Sequence, residues 1–206
     1  MTGARSAAPL DWEGPMRPII VLVAVVLAAA FAALAISSAP ATAQGLEIPE
    51  NGYVVSDDLS LLPPEVRKTH DDMLAAARSG DIQKFAKIMD AQPAPVTVSF
   101  GDPEDKIAYL KGESGDGTGV AIMAILANLL DAPYAAMTSG DGKPVYIWPS
   151  LARYDDLRAL SNEELVEAYR ITGLDLFKAQ QEYGGWLYWR VYIGPNGELQ
   201  AFVAGD

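Results

Sequence analysis

The only histidine of the chain, His70, is followed by Asp71 and Asp72. A His–Asp pair works as a general base when a nucleophile lies within hydrogen-bond reach. The sequence holds neither G-x-S-x-G nor S-x-x-K, so no serine is set up for that role. On a helix the two carboxylates also lie at other azimuths than the imidazole, and a histidine at a helix edge is the expected outcome. Glu163 and Glu164 are adjacent carboxylates, the residue type that drives glycoside hydrolysis across a cleft, but Glu164 is better spent capping a helix. A carboxylate pair brought together from distant segments stays open from sequence. "GESGDGTG" (112–119) precedes a helix and looks like a phosphate loop. It lacks the lysine that would stand where Thr118 does, and Glu113 and Asp116 would repel phosphate. It reads as a plain loop. The acids Asp102, Glu104, Asp105, Glu113, Asp116 and Asp141 show no D-x-D-x-D-G spacing, so no calcium loop is predicted. With no cysteine and one histidine, a zinc ribbon, thiolate chemistry and a multi-histidine metal centre are excluded. No metal and no cofactor is expected.

The remaining chemistry lies in "WLYWRVYIGPNGELQAFVAGD" (186–206). Gly194-Pro195-Asn196-Gly197 suits a type I turn followed by a left-handed glycine, which pairs Gly194 with Glu198. Counting back, Ile193 faces Leu199, Val191 faces Ala201 and Trp189 faces Val203. One side of the hairpin is then wholly apolar. The other carries Trp186, Tyr188, Arg190, Tyr192 and Phe202 beside Glu198 and Gln200. A one-residue slip would put Gln200 among the apolar residues, so the first register is preferred. Trp186, Tyr188, Arg190, Tyr192 and Phe202 are the candidate ligand-binding residues: rings that stack on sugars or planar groups, around a guanidinium that grips a carboxylate or phosphate. Ordinary cross-strand packing, with Arg190 over Phe202, explains the same residues and weighs more. "VYIWPSLARYDDLRAL" (145–160) can line a rim beside this hairpin, although a sheet-to-helix connection with a buried tryptophan is the simpler reading.

These residues need a scaffold. Residues 44–62 read as an extended arm, where Tyr53, Val54 and Val55 can add a strand. Pro63 and Pro64 open a helix to Arg78 with Val66, His70, Met73, Leu74 and Ala77 on one face. Gly80 ends it, and Asp81 caps a second helix carrying Ile82, Phe85, Ala86 and Met89. "PVTVSF" (95–100) is a predicted strand. The segment 102–105 starts a short helix that ends near Gly112. "VAIMAILANLL" (120–130) is apolar nearly all round and reads as a core helix. Strands at 134–138 and 144–148 flank a turn at Asp141-Gly142. Ser161 and Glu164 form a capping box with a Leu160/Leu165 staple, opening a helix to about Ile171. Another covers roughly 174–183 before Gly184-Gly185. Helices and hairpins alternate without a βαβ rhythm. The predicted class is α+β: a mostly antiparallel sheet with helices on one face, as one domain over 63–206.

Residues 1–43 read as a signal peptide. Arg17 precedes an apolar run from Ile19 to Ile36, and Ala41-Thr42-Ala43 is a small-residue cleavage site. Met16 is the expected true start, because Asp11 and Glu13 do not suit a basic n-region. Export to a periplasm is predicted, with an uncleaved inner-membrane anchor facing the periplasm as the alternative. The chain carries 15 basic and 27 acidic residues, net −12. Such a chain repels nucleic-acid backbones, and membrane contact is expected only through an uncleaved leader.

"YIWPSLA", the capped helix and "WRVYIGPNGELQAFVAGD" resemble a family of small exported alphaproteobacterial proteins that end in a WRxxIGPxGxxxxFVAGD-like hairpin. The resemblance is strongest over the last sixty residues or so. That family has no assigned activity, so the resemblance implies export and no catalytic residues. The expected function is a non-enzymatic binding or envelope-associated module, its partner an envelope component or small ligand. The alternative is a carboxylate-dependent hydrolase acting on cell-wall or sugar substrates. A third reading is a structural module whose hairpin edge pairs with another chain.

Overall fold

A computed structural model describes residues 46–50 and 52–205. The leader and its cleavage site lie outside them. Among the described residues, no helix is long and apolar enough to cross a membrane.

The described part is α+β, with a five-stranded antiparallel sheet whose spatial order follows the chain. Its strands are β1 (Tyr53–Ser56), β2 (Tyr134–Thr138), β3 (Pro144–Trp148), β4 (Arg190–Ile193) and β5 (Leu199–Val203). The helices are α1 (Pro64–Arg78), α2 (Ile82–Asp90), α3 (Lys106–Glu113), α4 (Val120–Leu130), α5 (Asn162–Thr172) and α6 (Leu174–Tyr183). Four of them, α1, α2, α3 and α5, begin where local chemistry says they should. Pro64 stands at the first position of α1, where the missing N–H costs nothing. Asp81 accepts from Gln83 N at the start of α2, and Asp105 from Ile107 N and Ala108 N at the start of α3. The Ser161–Glu164 capping box is complete in both directions.

One face of the sheet presents Tyr134, Ala136, Tyr146, Trp148, Val191, Ile193, Leu199 and Phe202 to the helices in a single core. Phe85 of α2 meets Phe202 edge-on at 5.7 Å, and Trp189 lies 4.7 Å from the same ring. Helix α4 supplies Ile122, Met123, Leu126, Leu129 and Leu130, all buried, but it is not covered all round: Val120, Ala124 and Asn128 face out.

His70 is not at a helix edge. It is 1% exposed and stacked 5.3 Å from Trp148. Its Nε2–H donates to Leu130 O over 3.0 Å, satisfying a carbonyl at the end of α4 that has no helical partner. Its Nδ1 lies 3.0 Å from Asp71 Oδ1, so the neighbouring carboxylate does reach the ring. His70 thus ties α1 to α4 from within the core, while the Asp71 carboxylate beside it is more than half exposed.

The segment 95–100 forms no strand. Only Thr97 bridges the sheet, parallel to Ala201: its N–H donates to Gln200 O, and Phe202 N donates to its carbonyl, each over 2.9 Å. Leu199 N donates to Gln92 Oε1. Side chain and bridge thus cover the outer edge of β5, which removes the edge on which the hairpin would pair with another chain.

The closing hairpin turns where predicted. Gly194 N donates to Glu198 O over 2.8 Å, and Gly197 takes φ +82°. Ile193 faces Leu199, but a bulge then shifts the register. Val191 faces Phe202 and Arg190 faces Val203, instead of Val191 with Ala201 and Trp189 with Val203. Gln200 is the extra residue, and its carbonyl is the one engaged by Thr97.

Candidate ligand cleft

The bulge decides which hairpin residues can act together. Directly opposed residues share a face, so Phe202 joins Val191 in the core, fully buried, and forms no part of a binding surface. Arg190, Tyr192, Ala201 and Val203 fall on the reverse face of the sheet. There the chain after β3 folds back as a short 3₁₀ turn, Ser150–Arg153. Between that turn and the hairpin lies an open cleft of about 400 Å³. Trp186, Arg190 and Tyr192 line it from one side, Tyr154 and Asp155 from the other, and Tyr183 and Gly185 from the end of α6. The walls are tied together by Leu157 N, which donates to Gly184 O over 2.9 Å.

The cleft thus gathers three of the five candidate residues. Tyr188 is placed apart: its N–H, with that of Leu187, is bound by the buried Gln180 Oε1, each over 2.9 Å, and its ring lines a separate apolar hollow. Burial pushes the Tyr188 hydroxyl's pKa up. Within the cleft Arg190 is a floor. It is 7% exposed, and its guanidinium donates to Trp186 O over 2.9 Å and Gly205 O over 2.6 Å. Trp186 is also nearly buried, with its indole N–H on Trp189 O. Tyr192, half-buried, stands over this floor between Ile147 and Ala201.

Tyr154 is held by a network that the sequence did not disclose. Its hydroxyl donates to Glu164 Oε1 over 2.7 Å and accepts from Arg153 Nη2 over 2.9 Å, while Arg153 Nη2 reaches the same carboxylate oxygen over 2.6 Å. Arg153 is 5% exposed and sandwiched between the rings of Tyr53 and Tyr154, 4.6 and 4.1 Å from their centroids. Partial burial pushes the Glu164 carboxyl up. Hydrogen bonds from Tyr154, the Ser161 backbone N–H and Arg153 outweigh that and hold its pKa at about 2. Burial, then the bond to Glu164, raises the Tyr154 hydroxyl to about 12. Glu164 is therefore doubly engaged, as helix cap and as anchor of the cleft wall. Sequence reading treated 145–160 chiefly as a connection. The available signal was Arg153-Tyr154 beside a capping glutamate, which becomes a network only when the turn folds back.

The phosphate-loop lookalike has a specific structure. Asp116 sits at the amino end of α4 and accepts from Thr118 N, Gly119 N and Ala121 N, each over 3.0 Å, and from the Ser114 and Thr118 hydroxyls. These bonds, led by that from Ser114, lower its pKa. The donors that would cradle an external anion hold the chain's own carboxylate.

A larger groove of about 770 Å³ is lined by Asp90, Glu104 and Asp105 among others. Asp105 is spent on its cap, and Lys106 in the same groove donates to Val96 O. Among the described residues no three His, Cys, Asp or Glu side chains are grouped to hold a metal. No family model, no curated protein and no solved structure matches the chain.

Proposed function

We propose that this is an exported, non-enzymatic binding module of the cell envelope that holds a small polyhydroxylated ligand, of saccharide class, in the cleft between the Ser150–Arg153 turn and the closing hairpin. The observation that carries it is the convergence of Tyr154, Asp155, Tyr183 and Tyr192 on one concave space of about 400 Å³ with a fixed floor of Trp186 and Arg190. That volume falls in the range of roughly 300–1,000 Å³ typical of small-molecule sites. Tyrosine rings offer an apolar face to the C–H side of a pyranose and a hydroxyl to its rim. Asp155 adds an acceptor for sugar hydroxyls. Because Asp155 is the one acid among the described lining residues, the pair of carboxylates that hydrolysis needs is not built here.

The test is a titration of the protein, expressed from its whole coding sequence, with glucose, galactose, N-acetylglucosamine and galacturonate, read by tryptophan fluorescence. At least one should bind. Tyr192→Ala and Asp155→Asn should each weaken it tenfold or more with little change in melting temperature. Binding unaltered in both variants would place the ligand elsewhere.

A further inference from the structure

Behind Tyr183 lies a second hollow, of about 160 Å³, lined by Leu176, Ala179, Gln180, Tyr183, Leu187 and Tyr188. Two features set its role. It is too small to be an independent ligand site, since such sites run from roughly 300 Å³ upward. It also shares a wall with the polar cleft: Tyr183 lines both, and it is the most exposed large apolar side chain of the described residues at 79%. Polar groups converge on one side of that ring, and leucine and alanine side chains on the other. The segment 183–188 crosses between the two, sending Gly185 and Trp186 to the polar cleft and Leu187 and Tyr188 to the apolar hollow.

The floor of the hollow is fixed. Gln180 is 3% exposed and its Oε1 clamps the Leu187 and Tyr188 N–H groups. Its Nε2 has no hydrogen-bond partner among the described residues. A buried amide donor left open is costly unless something takes its hydrogen. It is the one such side chain in the wall of the hollow.

Resting on the reading of the polar cleft as a saccharide site, we propose that the ligand is amphiphilic: a polyhydroxylated head in the cleft, passing over Tyr183, with a short acyl or alkyl group seated in the hollow. The exposed positions of Leu176 and Tyr183 at the rim then cover the tail instead of facing water.

The probes are glucose, galactose and N-acetylglucosamine, each against its hexyl glycoside at monomeric concentration, measured by calorimetry on the whole protein. The hexyl glycoside of the sugar that binds should bind about tenfold or more tighter, the gain that burying two or three methylenes supplies. Ala179→Phe, which fills the hollow, should erase that gain and leave the free sugar's affinity unchanged; Leu176→Ser should reduce it. Equal affinity with and without the tail, in a protein that binds the free sugar, overturns the inference and leaves the saccharide reading standing. No binding of sugar or glycoside overturns both. A gain that survives Ala179→Phe means that the tail binds elsewhere, and also overturns it.

Discussion

The guanidinium of Arg190 donates to the carbonyl of Gly205 over 2.6 Å and joins the last strand's exit to the start of the closing hairpin. With the bond to Trp186 O, it makes Arg190 part of the frame of the cleft. Charge-assisted bonds to carbonyls are worth about 1.5–3 kcal/mol each, and the carbonyls lose this partner when the side chain is cut back. Arg190→Ala should lower unfolding stability by roughly 2–4 kcal/mol in urea titration and abolish ligand binding with it. A loss under about 0.5 kcal/mol, the scale of an ordinary surface substitution, would show that Arg190 is not a clamp.

Glu164 should give the protein a specific acid sensitivity. Its folded pKa, about 2, lies below its ordinary value of 4.5. A depressed carboxyl contributes stability that is fully present above pH 4.5 and is lost as pH falls toward 2. The shift corresponds to at most about 3 kcal/mol. Glu164→Gln should remove most of that dependence between pH 4.5 and 2 and destabilise the protein at pH 7. Parallel stability–pH curves for the two proteins would contradict the assignment.

Asp116 occupies an anion cradle of its own making. Asp116→Ala should free the N–H groups of Thr118, Gly119 and Ala121 at the start of α4. The variant should be less stable than the parent, and sulfate should raise its melting temperature while leaving the parent unchanged. Equal sulfate responses would mean that the loop does not depend on the carboxylate.

Gly197 couples the hairpin turn to α1. It takes φ +82°, and a Cβ there would lie 2.5 Å from Glu65 O, which is backbone and cannot swing aside. Thr69 Oγ1 donates to Gly197 O over 2.6 Å at the same contact. Gly197→Ala should cost about 2 kcal/mol or more, from the left-handed backbone and the forced separation together. Thermal melts check it; a change within about 0.5 kcal/mol would mean that the turn is not pressed on α1.

The elements were legible where the signals are local. Pro64, Asp81, Ser161 and Glu164 mark helix starts through bonds made within one turn, and the Asp141-Gly142 and Pro195-Asn196-Gly197 turns set both hairpins. What could not be read depends on contacts distant in sequence. The bulge at Gln200 is stabilised by Thr97, about a hundred positions away, and it moved Phe202 from the candidate surface into the core. The burial of His70 follows from the end of α4, sixty residues on. Trp186, Arg190 and Tyr192 were identified from their types and from the alternation along the hairpin; Tyr154 and Asp155 joined them only through the fold-back after β3, and Tyr183 through the end of α6. The strand expected at 95–100 has β-branched residues at Val96, Thr97 and Val98, but Pro93 precedes it, Pro95 is its first residue, and only Thr97 pairs.

The most direct measurement is a map of backbone amide shifts on titrating the best-binding saccharide into ¹⁵N-labelled protein. The account predicts that perturbations cluster at Tyr154, Asp155, Tyr183, Gly185, Trp186 and Tyr192 and spare α1 and α2. Perturbations centred on Asp90, Glu104 and Lys106 instead, or none with any of the saccharides, would contradict it.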